Sequence, residues 1–391
     1  MPRRSMQMSG PDTKLGWHLW NGLEVEDAVF FLVASFVIIF TLLAFDNALA
    51  VLYAFPSLFP AVPLRPSPAL LVSSLLVPIS TYDDERIRGF REALARLRKK
   101  SRSFYLASGV FQGRLRVDLI LLYSFCRVAD DLVDEALTIA EARHWSLQLV
   151  RFLDTAYAHD LPDDPTTLST FVTTTFPPST HTALLLLPTN YLPPTPLYDL
   201  IKGFETDLAF ASPSNPFPIV DEAALQMYAS CVAGTVGESL IELVYHHTTL
   251  PHTQDRRHVV AAGRRMGEAL QYVNIARDIA VDARIRRVYL PTSWLAEHDL
   301  TPQDVITDPN NATVELLRQR LLDIAMRVYR ESCDAIDELP VEARGPVRVA
   351  VESYMDIGRV LRRPGYKVKA GRATVPRLRR LRTAWIALSR G

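Results

Sequence analysis

The chain has 391 residues, 48% of them hydrophobic, which is enough for one large domain with an appended segment. Its 43 basic and 43 acidic residues cancel, so bulk charge gives no attraction to nucleic acid, and we expect no nucleic-acid partner. Three widely spaced cysteines, Cys126, Cys231 and Cys333, exclude a disulfide framework and a zinc-binding pattern, and they fit a reducing compartment.

The first element in chain order is an apolar segment. Residues 28–45 carry no charged side chain, and a run of this length can cross a bilayer as a helix. Asp46 and Asn47 interrupt the run before a second apolar piece, residues 48–55. A secretory signal is disfavoured because acids, not basic residues, precede the apolar run. The favoured interpretation is a transmembrane segment, and the alternative is a buried core helix.

A proline-rich stretch follows. Residues 56–81 contain six prolines and predict a linker, within which the apolar residues 69–77 could contact a membrane. Residues 85–100 then have the pattern of a charged amphipathic helix. Ser101 and Ser103 stand where the next helix could begin. Serine caps helix N-termini, and the free amides there bind anions.

An acidic row is predicted on the helix that contains residues 123–134. Tyr123, Arg127, Asp130 and Asp134 recur at steps of four, three and four, so they share one face. The other faces are apolar, which is typical of a buried helix. Burying unpaired carboxylates is costly, so we expect this row to line a cavity.

A second row has the same character. Gln271, Asn274, Asp278 and Asp282 recur at steps of three, four and four, again between apolar residues. Carboxylate and amide oxygens suit a hard cation such as Mg²⁺, which binds through a few carboxylates plus substrate phosphates. An arginine accompanies each row (here Arg277), and its guanidinium suits a diphosphate. A single D-x-x-x-D motif would favour a solvated helix face, whereas two on apolar helices favour a functional site.

The rest of the chain is predicted to be helical, without a clear strand pattern. Glycines within residues 233–237 cost about 1 kcal/mol each in a helix relative to Ala, so they mark the close approach of a neighbouring helix or of a ligand. From Arg359 onward the chain has many basic residues and no acid. This tail predicts a basic surface, a diphosphate contact or attraction to an anionic membrane. Helices are predicted over residues 139–159, 197–210, 221–245, 314–339 and 341–362, and a loop with one short helical piece over 161–196.

Together with residues 101–105 (SRSFY), 232–237 (VAGTVG) and 287–291 (RVYLP), the two rows resemble the motifs of the squalene/phytoene synthase family, in the expected order. The sequence around the second row is most similar to the fungal phytoene synthases that are fused to a lycopene cyclase. Residues 23–31 and 44–46 resemble the last repeat of that membrane cyclase domain. One or two helices cannot enclose a cyclase site, so we expect an anchor without lycopene beta-cyclase activity.

The resemblance implies an all-α fold, an isoprenoid synthase type helical bundle with a central cavity, preceded by an N-terminal transmembrane segment. The domains implied are a membrane segment over residues 1–55, a linker over 56–81 and a phytoene synthase-like domain over 82–391. It also implies a prenyltransferase of the 15-cis-phytoene synthase type in carotenoid biosynthesis. Two geranylgeranyl diphosphates would condense head to head to prephytoene diphosphate, which would lose its diphosphate and a proton to give phytoene.

Roles for individual residues follow from the same resemblance. Arg286 departs from the family, where many relatives carry glycine, and this leaves the direction of Arg287 open. The spacing along the chain places Arg372 about one position away from where the family carries its arginine. The implied metal ligands are Asp130, Asp134, Asn274, Asp278 and Asp282, and the implied catalytic residues are the four aspartates of this set together with Arg127. The implied diphosphate ligands are Arg127, Arg277 and Arg287. The residues implied to position the substrate are Ser101, Ser103, Tyr123 and Gln271, and those implied to close the site are Tyr354 and Arg372.

The expected cofactor is Mg²⁺, with Mn²⁺ as a substitute. NADPH is not expected, because the sequence lacks a Gly-rich dinucleotide loop. The expected partners are geranylgeranyl diphosphate, a membrane and other carotenoid-pathway enzymes, with the catalytic domain on the cytosolic side. Two alternatives stay open: a squalene synthase-like enzyme, which would need NADPH, and a non-catalytic membrane-bound member of the family.

Overall fold

The structure is a computed structural model that describes residues 17–20, 23–63, 65–158, 165–212, 216–248, 256–363, 366 and 375–389. These residues are almost entirely helical, as predicted. The chain divides into two units, Met1–Asp83 and Asp84–Gly391, and each is described by itself.

The first unit is built on one long helix. Two short antiparallel strands, β1 (His18–Trp20) and β2 (Leu23–Glu24), precede α1 (Val25–Ala54). The strands were not predicted. Helix α1 runs on through Asp46 and Asn47 without the expected interruption. Its large apolar side chains are exposed, and by length and composition it could cross a membrane.

The predicted linker contains a helix of its own. Helix α2 (Pro68–Leu75) begins where the Ser67 side chain accepts a bond from the Leu70 amide, with proline at the first helical position. It packs on α1, where the Ser74 hydroxyl donates to the Ala48 carbonyl at 3.2 Å. A short 3₁₀ turn, Ile79–Thr81, ends this unit's regular structure.

The second unit is a helical bundle. Its helices are α3 (Asp84–Lys100), α4 (Arg102–Ser108), α5 (Gly113–Asp134), α6 (Ile139–Ala156), α7 (Pro165–Thr175), α8 (Pro178–Leu185), α9 (Pro194–Ala209), α10 (Glu222–Ala229), α11 (Thr235–His247), α12 (Arg257–Asp282), α13 (Thr292–Ala296), α14 (Pro302–Thr307), α15 (Ala312–Ser332), α16 (Val341–Leu361) and α17 (Arg377–Ser389). A π-helical turn, Ser230–Gly234, joins α10 to α11, and 3₁₀ turns occupy Thr189–Tyr191, Ala283–Ile285 and Cys333–Glu338.

Helices α5 and α12 lie at the centre of the bundle because apolar residues cover most of their surface. Phe125 of α5 and Val273 and Ala276 of α12 are fully buried. The two predicted acidic rows lie on these two helices. The core therefore positions both rows, and burial of the flanking apolar side chains supplies the driving force.

Two predicted elements were wrong, and one helix was not predicted. Residues 161–196 contain α7, α8 and the start of α9 rather than a loop with one short helical piece, because Pro178 and Pro194 stand at first helical positions, where proline is favourable. The helix predicted over 221–245 is divided by the π-helical turn. The basic tail contains α17, which was not predicted although its apolar residues recur at helical spacing.

Candidate active site

The second unit encloses a cavity of about 690 Å³. Five residues of α12 show its direction: Val259, Met266 and Leu270 line it towards the start of the helix, and Asn274 and Asp278 towards the end. At a rise of about 1.5 Å per residue, the lining residues of α12, from Val259 to Val281, extend along roughly 33 Å of the helix. The cavity is thus long, apolar along one part and polar along the other.

Helix α5 contributes the first row to the polar part. Tyr123, Arg127 and Asp130 line the cavity, as predicted for one helix face. Arg127 Nη1 lies 3.0 Å from Asp130 Oδ2, and the same guanidinium also bonds Asp131. Lys100 Nζ lies 3.2 Å from Asp131. The row therefore carries its own counter-charges.

Helix α12 contributes the second row on the cavity wall. Asn274 donates to the Gln271 side chain at 3.1 Å and accepts from the Tyr354 hydroxyl of α16. Arg277 binds Asp278, with Nε 2.9 Å from Oδ1. All five residues line the cavity, so the structure brings the predicted substrate-positioning residues of α12 and α16 together.

A residue that sequence analysis missed lies where the rows converge. Asp207 of α9 is 7% exposed and accepts from the hydroxyls of Tyr289, at 2.5 Å, and Tyr228, at 3.1 and 3.2 Å. Arg287 Nη1 lies 3.8 Å from Asp207, and its Nη2 lies 2.9 Å from Asp134. Arg287 thus joins the end of the first row to Asp207. A lone acid in a helical pattern gave no signal for this role.

The carboxylates of the site repel one another. Burial first and Asp134 second raise the pKa of Asp130 to about 7. Burial first and Asp278 second raise the pKa of Asp282 to about 8. Burial also raises the pKa of Asp207 to about 6, although Arg287 opposes this. Asp207 contributes to the first two shifts as well, so its carboxylate lies near both rows.

This donor set fits a hard cation in its chemistry, since carboxylate and amide oxygens crowd a half-buried site with raised pKa values. Among the residues that the structure describes, however, no group of three or more His, Cys, Asp and Glu is arranged to hold a metal ion. In this arrangement arginines pair with Asp130, Asp278 and Asp134. An ion cluster shared by both rows therefore stays a prediction.

Helix α4 closes the polar part of the cavity with its two serines. Ser101 caps the helix by accepting from the Phe104 amide at 3.4 Å, and Ser101 and Ser103 both line the cavity. The Phe104 ring stacks on Tyr354, with centroids 5.2 Å apart, and contacts Tyr123 edge-on at 6.2 Å. These aromatic contacts fix α4 against both α5 and α16.

The glycine motif lies where α11 and α12 cross. A Cβ atom at Gly237 would stand 2.3 Å from the Gly263 carbonyl oxygen, and one at Gly267 would stand 2.3 Å from the Ala233 carbonyl oxygen. The same glycines line the cavity. The close approach of a neighbouring helix is thus confirmed, and the close approach of a ligand stays a prediction that the position of these glycines on the cavity wall favours.

Two predicted details concern basic residues. Arg286 adopts a left-handed conformation, with φ of 61°, directly before Arg287. This explains why glycine suits the position in relatives. Arg372 lies outside the described residues. Within the part of the basic tail that the structure describes, the arginine that lines the cavity is Arg380 of α17, which the sequence had not predicted.

Comparison with known proteins agrees with this geometry. A family model described as squalene/phytoene synthase matches residues 97–379. Two curated relatives, each named bifunctional lycopene cyclase/phytoene synthase, come from Leptosphaeria maculans (56% identical over 388 residues) and Gibberella fujikuroi (54% over 379). The matches cover 99% and 97% of this chain and 66% and 65% of the relatives, so the chain spans about two-thirds of their length.

Solved structures show the same fold. A dehydrosqualene synthase in complex with ligand superposes with a TM-score of 0.61 at 23% identity, covering 78% of this chain and 96% of its own. The squalene synthase HpnC from Alicyclobacillus acidocaldarius gives 0.54 at 20% identity, covering 74% and 97%. The predicted family resemblance and all-α isoprenoid synthase fold are thus confirmed.

Proposed function

We propose that this chain, which belongs to the squalene/phytoene synthase family, makes phytoene by joining two molecules of geranylgeranyl diphosphate. The observation that carries the proposal is the convergence of carboxylates and arginines at the polar part of one long, otherwise apolar cavity. Arg127, Asp130, Arg277 and Asp278 line it, and Arg287 reaches it through Asp207, which also lines it. The names of the curated relatives support the phytoene product.

The polar part suits diphosphate groups. Arg127 and Arg277 line it, and Arg287 stands between Asp134 and Asp207. Guanidinium groups bind phosphate oxygens in bidentate fashion and neutralise the charge that grows on a departing diphosphate. Bound Mg²⁺, held by Asp130, Asp134, Asn274, Asp278 and Asp282, would stabilise that leaving group further.

The apolar part suits the isoprenoid chains. Aliphatic side chains of α11 and α12 form its walls, including Leu240, Met266 and Leu270. Such walls exclude water, which protects an allylic cation from capture. In the proposed reaction the first substrate loses diphosphate and the new cation bonds to the second substrate. Loss of a proton then closes the cyclopropane ring of prephytoene diphosphate.

The second half-reaction uses the same residues. The remaining diphosphate departs and is stabilised by the arginines. The cyclopropyl skeleton then rearranges, and loss of one more proton gives phytoene. No reductant enters this balance, so NADPH is not required. A squalene synthase-like reaction would instead consume hydride from NADPH in its last step.

We also place the protein at a membrane. Helix α1 is long and apolar enough to span the bilayer, and it would anchor the catalytic unit on the cytosolic side, close to other carotenoid-pathway enzymes.

The test is incubation of the full chain with labelled geranylgeranyl diphosphate and Mg²⁺, without NADPH. We expect labelled phytoene and free diphosphate. Matched reactions contain farnesyl diphosphate with NADPH, or a chelator in place of Mg²⁺. Squalene formed only with NADPH would replace the proposal by the squalene synthase alternative, and no product under either condition would favour the non-catalytic one.

A further inference from the structure

Helix α17 carries an exposed apolar stripe on the face that points away from the bundle. Leu378, Leu381 and Trp385 recur at steps of three and four, which places them on one side of the helix. Leu378 is 82% exposed and Trp385 is 75% exposed, whereas Leu388, at the end of the helix, lies against Gly345 of α16. Exposed apolar side chains that are scattered singly are ordinary, but three on one helical face form a patch that is typical of a contact surface.

The opposite face of α17 is fixed on the protein. Ala384 and Ala387 pack against Val349 of α16 and its neighbours. Arg379 donates to Asp356 through Nε at 2.6 Å and through Nη2 at 2.5 Å. Because this face attaches α17 to the bundle, the stripe on the other side is an outer surface of the folded protein. It is held outward by an ion pair between the half-buried Arg379 and the buried Asp356, and by the contact of two alanines with α16.

The charge around the stripe selects its occupant. Arg377 and Arg382 are exposed beside the apolar side chains, and no acid occurs from Arg359 to the end of the chain. Apolar residues, a tryptophan and flanking arginines on one face are typical of helices that lie in the interface of an anionic membrane. An indole ring also favours the boundary between headgroups and acyl chains.

We propose that the outward face of α17 docks on an anionic membrane surface. The stripe would enter the headgroup boundary, and Arg377 and Arg382 would bind lipid phosphates. This is a contact separate from α1. Because Arg380 of the same helix lines the cavity, docking would bring the cavity wall next to the bilayer.

The experiment uses the full chain reconstituted in vesicles and measures quenching of Trp385 by lipids with brominated acyl chains. The emission difference between the unaltered chain and Trp385→Phe isolates Trp385 from the other tryptophans. We expect most of this signal to be lost in brominated vesicles that contain phosphatidylserine, and less in phosphatidylcholine alone. Replacing Arg377 and Arg382 by Gln should weaken docking about fivefold for each arginine.

A matched pair of variants controls for general effects of hydrophobicity. Leu381→Ser alters the stripe, and Leu316→Ser alters a leucine of similar exposure on α15 (58% and 54%). Only Leu381→Ser should restore the Trp385 signal in brominated vesicles. The unfolding temperature of each variant checks that the bundle is intact.

Two results would overturn the proposal. One is a Trp385 signal that is equally bright in brominated and plain vesicles of both compositions. The other is a concentration-dependent dimer abolished by Leu381→Ser and retained in Leu316→Ser, which would assign the face to a second copy of the chain. Because the experiment measures fluorescence and not product, a negative result would reject membrane docking by α17 without bearing on whether the chain makes phytoene.

Discussion

Replacement of Asp207 by Asn tests how the site aims its arginine. Asp207 accepts from Tyr228 and Tyr289 and lies 3.8 Å from Arg287. The variant keeps the shape of the side chain, removes its charge and turns one acceptor oxygen into an NH₂ donor. Arg287 would then keep only Asp134 as a carboxylate partner among the contacts described for it.

The size of the effect follows from these contacts. Both tyrosine hydroxyls can still donate to Oδ1, but the buried NH₂ replaces the second oxygen that Tyr228 contacts, and an unsatisfied buried polar group costs about 1–3 kcal/mol of stability. Arg287 is displaced rather than deleted. Since deletion of one preorganised donor lowers kcat about 10²–10³-fold, we expect kcat/KM to fall by about 10- to 100-fold in Asp207→Asn.

The assay measures phytoene formation against substrate concentration, with thermal unfolding of the same samples. Tyr289→Phe is the matched control, because it removes a hydrogen bond to Asp207 and leaves the charge. It should lose stability but less activity. Arg287→Gln and the double variant complete a cycle. If Asp207 acts through Arg287, the double variant should be no worse than Arg287→Gln alone.

Two results would contradict this reasoning. A folded Asp207→Asn variant with kcat/KM within about twofold of the unaltered chain would show that Arg287 is aimed without it. Strictly additive losses in the cycle would show that Asp207 acts independently of Arg287.

Three further predictions concern the rest of the site. Asp130→Ala or Asp278→Ala should lower phytoene formation about 10²-fold or more. The unfolding temperature should change little, because relief of carboxylate repulsion offsets the loss of the ion pair with Arg127 or Arg277. The exposed Asp323→Ala is the control, and a near-normal rate would remove the metal assignment. Burial raises the folded-state pKa of Asp130 to about 7 and of Asp282 to about 8. Because the folded chain then binds more protons than the unfolded chain, the metal-free protein should lose stability as the pH rises from about 5 to 8. Calorimetry should show a larger stabilisation by Mg²⁺ at the upper end of this range, and a rise in metal-free stability with pH would contradict the reasoning. Arg286→Gly should be more stable than Arg286→Ala by about 1 kcal/mol in denaturant unfolding, because only glycine accepts the left-handed backbone freely; equal stabilities would mean that the turn relaxes.

The acidic rows could be predicted because helical periodicity is local. Steps of three and four place Tyr123, Arg127 and Asp130 on one face in any straight α-helix, and the surrounding apolar residues make both helices central. The structure then shows the first three residues of each row lining one cavity, whereas Asp134 and Asp282 lie beyond its lining. Neither inference depended on the tertiary partners of the two helices.

Asp207 could not be predicted because its role comes from distant parts of the chain. Its partner Tyr289 lies 82 residues away in sequence. Hydrophobic periodicity does not show which of several arginines pairs with which carboxylate. The prolines of residues 161–196 led to a wrong prediction for a related reason. Proline breaks a helix when it lies in the interior but is favourable at the first helical position, and the sequence alone does not tell which position it occupies.

The turn before Arg287 shows how local and distant determinants combine. The sequence indicated a departure at Arg286, where the family favours glycine, and the structure places that residue in the left-handed region that glycine adopts most easily. The backbone therefore keeps the turn although the residue type has changed. Arg287 still lies between Asp134 and Asp207, so the two carboxylates, rather than the preceding residue, determine where its guanidinium points.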